Sequence, residues 1–453
     1  MDLSDKRVLV VGAGKSGLSA ALFLRGQGAR VMVSDSRSAE ALTKELPALR
    51  DAGVVVETGG HGANTFRQQD LIVVSPGVPV DTPELVQARD ADVPIIGELE
   101  LASRFLRGQI LAITGSNGKT TTTSLLGKIF ADAGLPTLVG GNIGTPVIDL
   151  ISQSTDASWS VLEVSSFQLE TTDGFRPRIA VVLNITPDHL DRHGSFENYA
   201  AMKARITLRQ TAEDFLVLNA EDKPTQMVAA RSRARVYWFS SKRQIKQGAF
   251  VHGESILFTL NEGARPEPVM PVVEIPLHGT HNVENALAAV CAARLAGIAA
   301  ESIRASVKSF VAVEHRLEFV ADIGGVQYYN DSKATNVDAA VKALEAFPGG
   351  VHLILGGKDK GSDYTTMSDL LRERVKTVYT IGSAAEKIEQ QLAGVVKMVS
   401  TGTMESAVAK ATKNATPGDV VLLAPACSSF DQFENYGHRG RVFKDLVKQL
   451  QRG

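Results

Sequence analysis

Residues 114–121 read Thr-Gly-Ser-Asn-Gly-Lys-Thr-Thr and directly follow the apolar run Ile110–Ile113. Apolar residues then recur at the spacing of one helical face between positions 125 and 130. A glycine-rich turn between a strand and a helix is the setting of a phosphate loop, where backbone N–H groups and the helix N-terminus hold phosphate oxygens. The stretch therefore predicts a nucleotide-binding α/β unit.

Individual residues of this loop suit phosphate chemistry. Lys119 is placed to reach terminal phosphates and Thr120 to ligate Mg²⁺. The full loop pattern has a further glycine five positions before Gly118, where this chain has Ile113, so a plain glycine-rich turn is the alternative. Glu163 ends another apolar run and could share the Mg²⁺, since this ion prefers oxygen ligands. The Gly-Lys-Thr core between strand and helix favours nucleotide binding.

A polar turn, Asn-Ile-Thr-Pro-Asp-His-Leu-Asp at 184–191, follows a third apolar run. His189 could ligate a second metal or orient a substrate oxygen. Asp188 or Asp191 could instead simply cap the next helix. The residues alone leave both readings open.

The N-terminal region carries a second glycine-rich turn. Gly12, Gly14 and Gly17 form a G-x-G-x-x-G pattern after the first apolar run, and Asp35 ends the next run. That spacing matches a dinucleotide site, in which the acid binds ribose. The same glycines also serve other diphosphates, including a nucleotide sugar. The turn predicts a diphosphate site, and an NAD-dependent oxidoreductase stays an alternative.

Composition narrows the class of protein. With 453 residues, 44% hydrophobic and 22% charged, the chain is long enough for about three globular domains. Lys and Arg number 48 against 50 Asp and Glu, which offers no basic surface for nucleic acid or an anionic membrane. The two cysteines form no zinc or redox motif, and neither a secretion signal nor a spanning apolar run is visible. We expect a cytoplasmic protein without nucleic-acid partners or membrane insertion.

The strand–helix pattern restarts twice along the chain. We expect three α/β domains, with a Rossmann-like domain at 1–97, a central P-loop domain at 98–311 and a second Rossmann-like domain at 312–453. Short alternating segments between 215 and 276 predict a small antiparallel sheet in the central domain. Polar loops that follow the strands of the third domain predict another binding face.

Together these stretches resemble the Mur ligases, bacterial amide ligases of peptidoglycan synthesis. The resemblance spans the chain and rests on residues 114–120, 163–169, 184–191 and 281–285 and on His315-Arg316. Residues 330–336 and 428–433 resemble the branch that adds D-glutamate. The Asp-Asn-Pro-Arg motif expected of the diaminopimelate- or lysine-adding branch does not occur in the sequence.

The resemblance implies an ATP-dependent ligase. Its reaction would phosphorylate the carboxylate of UDP-N-acetylmuramoyl-L-alanine with ATP and join the acyl group to the amine of D-glutamate. It also implies two Mg²⁺ sites and a Lys203 carbamate made from CO₂, because a bare ammonium cannot ligate metal. Without the resemblance, Lys203 would be interpreted as an ordinary exposed helix lysine. The expected partners are small-molecule substrates only, and the expected state is a monomer.

The resemblance further implies roles for individual residues. The catalytic residues are Lys119, Glu163, His189 and Lys203, and the metal ligands are Thr120, Glu163, His189 and Lys203. The ATP-binding residues are Gly115, Ser116, Asn117, Gly118, Lys119, Thr120, Thr121, Thr122, Asn285, Arg316 and Asp331. The UDP-sugar-binding residues are Gly14, Ser16, Asp35, Ser36, Arg37, Ser75, Gly77 and Asn142. The D-glutamate-binding residues are His189, Thr335, Lys360, Ser429 and Tyr436, the last standing where we expect Phe.

Three other functions compete with this one. An NAD-dependent oxidoreductase leaves Lys119 and the third domain unexplained. A folylpolyglutamate synthetase relative would share the central and final domains but should lack a uridine-binding first domain, so residues 1–97 argue against it. A non-catalytic P-loop binding module would release no phosphate in response to an amino acid.

Overall fold

Three β-sheets follow one another along the chain in the computed structural model, which describes residues 1–62, 64–277, 279–311 and 314–451. They contain five, nine and six strands. Helices cover the sheets, and the buried apolar side chains lie between these layers. Within the described ranges, no helix has the length and apolar character needed to cross a membrane.

The first sheet is parallel throughout. Its strands are β1 (Arg7–Val11), β2 (Arg30–Asp35), β3 (Val55–Thr58), β4 (Leu71–Val74) and β5 (Ile95–Gly97). Its helices are α1 (Lys15–Gly26), α2 (Leu46–Asp51), α3 (Pro83–Asp90) and α4 (Glu98–Ser103). The strand order β3-β2-β1-β4-β5 reverses direction at β1, and such a reversal opens a crevice at the carboxyl ends of the strands. The G-x-G-x-x-G turn lies at this crevice.

The second sheet has the order β14-β13-β12-β11-β10-β9-β6-β8-β7. Its strands are β6 (Gln109–Thr114), β7 (Thr137–Gly141), β8 (Trp159–Glu163), β9 (Ile179–Val182), β10 (Phe215–Asn219), β11 (Arg235–Ser240), β12 (Gly248–His252), β13 (Ser255–Thr259) and β14 (Glu267–Pro271). Its helices are α5 (Lys119–Asp132), α6 (Ser166–Glu170), α7 (Leu190–His193), α8 (Phe196–Ala204), α9 (Lys223–Arg231), α10 (Thr280–Leu295) and α11 (Ala300–Lys308). The central strand β6 feeds the phosphate loop.

The expectation of a small antiparallel sheet in residues 215–276 was wrong in its extent. Strands β10, β11 and β12 continue the nine-stranded sheet in parallel register. Antiparallel pairing is confined to the pairs that involve β13 and β14, at one edge. The core of β10, Leu216–Leu218, is buried on both faces, as parallel strands covered by helices on both sides are.

The third sheet has the order β15-β16-β20-β17-β18-β19, and only β15 runs antiparallel to its neighbour. Its strands are β15 (Glu318–Ile323), β16 (Val326–Asn330), β17 (Val351–Gly356), β18 (Val375–Ile381), β19 (Met398–Gly402) and β20 (Val420–Leu423). Its helices are α12 (Val337–Glu345), α13 (Ser368–Arg374), α14 (Ala385–Gln391), α15 (Met404–Asn414) and α16 (Tyr436–Leu450). The loops after β16, β17 and β20 therefore meet at one edge.

A fully buried arginine joins the loops after β16 and β20. Arg439 donates to the Ser332 hydroxyl at 2.9 Å and to the Ser332 carbonyl at 2.7 Å. The same guanidinium donates to the carbonyls of Cys427 and Ser428 at 3.1 and 3.3 Å. Burial lowers the pKa of Arg439 to about 10, which still leaves it charged at neutral pH. Its rigid set of donors fixes the site edge of the third sheet.

Glu98 lies where the first and second sheets join. It begins α4, and its Oε1 accepts the N–H of Ile148 at 2.8 Å, in the 3₁₀ segment Val147–Gln153. Its other carboxyl oxygen is buried and has no hydrogen-bond partner among the described residues. Burial raises the pKa of Glu98 to about 7, against the bond from Ile148 and with the help of the Asp149 charge.

We expect Glu98 to make stability fall as pH rises. Its pKa is about 7 in the folded chain against an ordinary 4.5, so its stabilising contribution is present below pH 4.5 and is lost as pH passes 7. The full loss is about 3 kcal/mol. Glu98→Gln should remove this dependence, so its stability relative to the parent chain should rise with pH. Urea unfolding between about pH 5 and pH 8 measures the difference.

The exposed Glu254 supplies the control. Glu254→Gln should leave the pH profile of unfolding parallel to that of the parent chain. Parallel profiles for Glu98→Gln as well would contradict the raised pKa.

Candidate active site

The loop between β6 and α5 has the backbone shape of a phosphate cradle. Gly115 has φ 149° and Gly118 has φ 84°, values that residues with a side chain rarely adopt. A Cβ on Gly118 would lie 2.3 Å from Asn285 Oδ1 in α10. The N–H of Asn117 donates to Asn184 Oδ1 at 2.8 Å, just beyond β9. The loop is therefore fixed closely against two neighbouring elements.

Lys119 curls back over this loop. Its Nζ donates to the carbonyls of Gly115 and Ser116, both at 2.9 Å. Burial lowers the pKa of Lys119, although the carboxylates of Glu163 and Asp188 oppose the change. A buried cation held by carbonyl oxygens alone is well suited to exchange them for an anion such as a phosphate.

Glu163, at the end of β8, is the centre of a buried polar group. Its oxygens accept from Thr120 Oγ1 at 2.7 Å and from Asn142 Nδ2 at 2.8 Å. Lys333, from the loop after β16, donates to the same Thr120 hydroxyl. Burial would raise the pKa of Glu163, but the charges of Lys333 and Lys119 outweigh it and hold the pKa below its ordinary value. The carboxylate is therefore ionised.

This group fits a divalent cation. A carboxylate and a hydroxyl supply the oxygen ligands that Mg²⁺ prefers. In this structure the ammonium of Lys333 stands where such a cation would compensate the carboxylate, because it donates to Thr120 and its charge lowers the pKa of Glu163. Thr120 and Glu163 are the residues that could hold the metal.

The turn after β9 places a neutral imidazole at the same site. His189 has φ 53°, and its ring packs edge-on against Phe167 with centroids 4.9 Å apart. Burial lowers the pKa of His189 to about 4, even with Asp188 beside it. The carboxylate of Asp188 accepts from Asn336 at 3.0 Å and pairs with Lys360 at 3.4 Å. At neutral pH the ring can therefore act as a metal ligand.

Lys203 is not the exposed helix lysine that its sequence context suggests. Only 1% of it is exposed, and its Nζ donates to the Gly115 carbonyl at 2.8 Å. The same atom lies 4.6 Å from the centre of the Tyr199 ring. Burial, assisted by the charge of Lys119, lowers the pKa of Lys203 well below 10.5. Its neutral amine form is correspondingly accessible.

A cavity of about 410 Å³ connects these groups with the third sheet. We call it the central cavity. Lys119, His189 and Lys203 line it, together with all five predicted amino-acid-binding residues, which are His189, Thr335, Lys360, Ser429 and Tyr436. Glu163 is not part of its wall and lies behind Asn142 and Thr120. The structure thus brings three of the four predicted catalytic side chains to one surface.

A second recess lies between the phosphate loop and the third sheet. Six of the predicted ATP-binding residues line it, namely Asn117, Gly118, Thr121, Asn285, Arg316 and Asp331. Arg316 Nε is buried without a hydrogen-bond partner among the described residues. Burial raises the pKa of Asp331 to about 6, against the charge of Arg316. A buried guanidinium nitrogen without a partner indicates a polar ligand in this recess.

The other predicted ATP-binding residues lie in the same loop and helix, next to this recess. Ser116 Oγ lies 3.0 Å from the Tyr199 hydroxyl, and Thr122 Oγ1 donates to Asn285 Oδ1 at 3.4 Å. Gly115, Lys119 and Thr120 form the side of the loop that faces Lys203 and Glu163. The phosphate loop therefore borders both the recess and the central cavity.

All eight residues predicted to bind a nucleotide sugar line one cleft of about 730 Å³ between the first and second sheets. They are Gly14, Ser16, Asp35, Ser36, Arg37, Ser75, Gly77 and Asn142. Asn142 also lines the central cavity, so the two spaces meet at this residue. We call this space the sugar-nucleotide cleft.

The carboxylate of Asp35 is already occupied in this cleft. It accepts the N–H of Ala13 at 2.7 Å and the guanidinium of Arg37 at 3.0 and 2.8 Å. The acid of a dinucleotide site instead binds the ribose hydroxyls. Any nucleotide that binds this carboxylate, whether a dinucleotide or a nucleotide sugar, would have to replace one of these partners.

Sequence reasoning missed several residues of the central cavity and its surroundings. Lys333 and Asn336 lie inside the quoted stretch 330–336, and Asp188 lies inside 184–191, but the sequence did not show which side chains point inward. Tyr199 precedes Lys203 by one helical turn of α8. Residues four apart share one face of a helix, so this spacing predicts that Tyr199 faces inward only when Lys203 is known to do so.

Three family models match successive segments of the chain. They are described as Mur ligase MurD-like, N-terminal domain (residues 6–97), Mur ligase middle domain (113–293) and Mur ligase, glutamate ligase domain (315–427). The chain belongs to the Mur ligase family.

Its curated relatives are similar over nearly their whole lengths. A UDP-N-acetylmuramoylalanine--D-glutamate ligase of Acidobacterium capsulatum is 68% identical over 99% of this chain and 97% of that protein. A ligase of the same name from Koribacter versatilis is 59% identical over 99% of both. The pseudomurein peptide ligase type C of Methanothermus fervidus superposes with a TM-score of 0.61 at 20% identity, over 98% of this chain and 100% of that chain. That last likeness shows a shared fold.

Gly118→Ala should destabilise the chain more than Gly134→Ala does. Both glycines have positive φ, at 84° and 79°, so each substitution costs about 1 kcal/mol in backbone strain. Only the new Cβ at Gly118 meets another atom, Asn285 Oδ1, whereas nothing lies within 4 Å of the position at Gly134. Urea unfolding of the two variants measures the difference, and equal losses would contradict the close approach of the loop to α10.

Proposed function

We propose that this chain joins D-glutamate to UDP-N-acetylmuramoyl-L-alanine with ATP, through an acyl phosphate. One observation carries the proposal: the central cavity meets the sugar-nucleotide cleft at Asn142, and the phosphate loop separates it from the recess lined by predicted ATP-binding residues. A carboxylate, a terminal phosphate and an amine can therefore meet at one point. The names of the similar curated relatives agree with this reaction.

The reaction takes two balanced steps. A carboxylate oxygen of the muramoyl substrate attacks the γ-phosphorus of ATP, and ADP leaves with the bridging oxygen. The amine of D-glutamate then attacks the acyl carbon, the phosphate leaves, and the amine gives up a proton. Both steps concentrate negative charge, so fixed cations are the main requirement. Lys119, Lys333 and Arg316 border the place where that charge would gather.

We propose Thr120 and Glu163 as ligands of one Mg²⁺, and His189 with Lys203 as ligands of a second. Bound Mg²⁺ would neutralise phosphate charge and polarise the reacting oxygens. Lys203 would first add its neutral amine to CO₂, forming an N–C bond and releasing a proton, which turns a cation into an anionic oxygen ligand. Its burial and lowered pKa support this step.

D-Glutamate would bind on the wall of the central cavity formed by the third sheet. Lys360 supplies a cation for a carboxylate, and Thr335 and Ser429 supply hydroxyls. Tyr436 stands where we expected Phe. Its ring makes a cation–π contact with the Lys333 ammonium, 5.0 Å from the ring centre. We propose that its ring, more than its hydroxyl, bounds the amino-acid site.

The domain boundaries at residues 97 and 311 are also part of this proposal. The three sheets and the limits of the family models support them. The cytoplasmic location and the monomeric state expected from the sequence stay predictions.

Substrate choice tests the proposed reaction. Phosphate release should require ATP, Mg²⁺, UDP-N-acetylmuramoyl-L-alanine and D-glutamate together, because the amine attacks only an acyl phosphate formed beside it. L-Glutamate and diaminopimelate should give only background release. Release that depends on another amino acid, or on none, would contradict the assignment.

Lys203→Ala should lower kcat by at least about a hundredfold, because it removes a metal ligand from the site of charge development. Removal of CO₂ should lower the activity of the parent chain, and bicarbonate should restore it. The variant should not respond to bicarbonate. Carbon-13 NMR with labelled bicarbonate should show a carbamate signal in the parent chain only.

Lys413→Ala, at an exposed position in α15, is the matched control and should keep both the activity and the carbamate signal. Full activity of Lys203→Ala, with no dependence on CO₂, would rule out the carbamate role.

A further inference from the structure

His61 lines the sugar-nucleotide cleft, three residues beyond the end of β3. Its Nδ1 lies 2.7 Å from the hydroxyl oxygen of Ser34, a fully buried residue of β2. Its ring also packs edge-on against Phe66, with centroids 5.3 Å apart. Two contacts from different elements therefore fix the ring at the wall of the cleft.

Glu57 decides which nitrogen of this ring carries the proton. Ser34 Oγ donates to Glu57 Oε2 at 2.7 Å, and a hydroxyl has only one proton to give. Toward His61 the same oxygen must then accept, so His61 Nδ1 is the protonated nitrogen. Glu57 Oε1 is occupied as well, by the N–H of Gly62 at 2.9 Å and the hydroxyl of Thr65 at 3.2 Å.

With Nδ1 as its donor toward Ser34, the ring presents Nε2 as a hydrogen-bond acceptor. Among the residues that the structure describes, Nε2 has no hydrogen-bond partner, because the only bond of the ring is made through Nδ1. Nε2 also lies on the ring edge away from Ser34. The carboxylate of Asp35, the other acceptor nearby, is already bound to Ala13 and Arg37.

The position of His61 matches the nucleoside end of a bound nucleotide sugar. The glycine turn after β1 is the diphosphate end of such a site, and the end of β2 is the ribose end. Asp35 at the end of β2 pairs with Thr58 at the end of β3, so His61 lies on the same side as the nucleoside, beyond Asp35. A nucleoside reaching this wall would meet an acceptor.

We propose that His61 Nε2 accepts a hydrogen bond from the nucleoside of the nucleotide sugar. Ser34 and Glu57 are the positioning residues that keep Nε2 an acceptor. The inference rests on the proposed function in taking the cleft as the site of a uridine nucleotide. The donor is either uracil N3–H or a ribose hydroxyl.

Calorimetric binding of UMP analogues to the full chain tests the contact. His61→Phe keeps the packing against Phe66 but loses the acceptor, and should weaken UMP binding about three- to tenfold, the effect of one hydrogen bond. The same substitution should not change binding of the analogue that lacks the donor. That analogue is 3-methyl-UMP or CMP if the base donates, and 2′- or 3′-deoxy-UMP if the ribose donates.

A packing role for His61 would give a different pattern. Equal losses for UMP and all four analogues, or no loss for any, would overturn the proposal. His61→Gln retains an acceptor and should recover part of the preference for UMP.

Glu57→Gln tests the positioning residues. The Gln carbonyl should keep the bonds from Gly62 and Thr65, which places its NH₂ against Ser34 Oγ. The Ser34 proton then turns to His61 Nδ1, and Nε2 becomes a donor. UMP binding should weaken at least about threefold in the parent chain and not further in the His61→Phe background. The same change in both backgrounds, or none in either, would contradict the coupling.

Turnover separates this inference from the proposed function. In the ligation assay, His61→Phe should raise KM for UDP-N-acetylmuramoyl-L-alanine by the factor seen for UMP and leave kcat within about twofold. A parent chain that binds UMP selectively but releases no phosphate would contradict the ligase and support the contact at His61. A parent chain that turns over while His61→Phe changes neither KM nor UMP binding would do the reverse.

Discussion

The buried carboxylate of Glu163 is the constraint on which the arrangement of the site depends. An ionised carboxylate out of water is costly unless partners compensate it. Its partners come from three places: Thr120 from the phosphate loop, Asn142 from the segment after β7, and Lys333 from the third sheet. The position of the third sheet relative to the second therefore depends on how well Lys333 compensates the charge of the Glu163 carboxylate.

Local compensation of charge also explains how a chain of nearly zero net charge could bind strongly anionic ligands. Lys203 is buried and Lys119 and Lys333 are half-buried around one loop, and loss of solvent is the largest cause of the lowered pKa of each. Burial disfavours the charged form of each of these side chains, and a bound anion would favour it again. Phosphates would therefore stabilise these cations, and a basic outer surface is unnecessary.

Local patterns in the sequence were sufficient for the class of fold and for the phosphate loop, because glycine spacing and apolar runs report on backbone shape nearby. They were not sufficient for partners distant in sequence. The parallel pairing of β10 to β12, the burial of Lys203 against Gly115, and the Ser34 contacts of Glu57 and His61 all depend on packing or strand register. The resemblance supplied Lys203, whereas His61 had no motif to mark it.

Asn142 borders both the sugar-nucleotide cleft and the central cavity. In the reaction that we propose, the acyl phosphate forms where these two spaces meet. An acyl phosphate made at that boundary has no distance to travel before its second reaction. The acyl phosphate can then react either with the neighbouring amine or with water that enters the site. Proximity gives the amine a high effective concentration and so favours the amine. In the proposed reaction the shared wall would thus protect a labile intermediate by keeping its second reaction fast, without the need for a tunnel between separate sites.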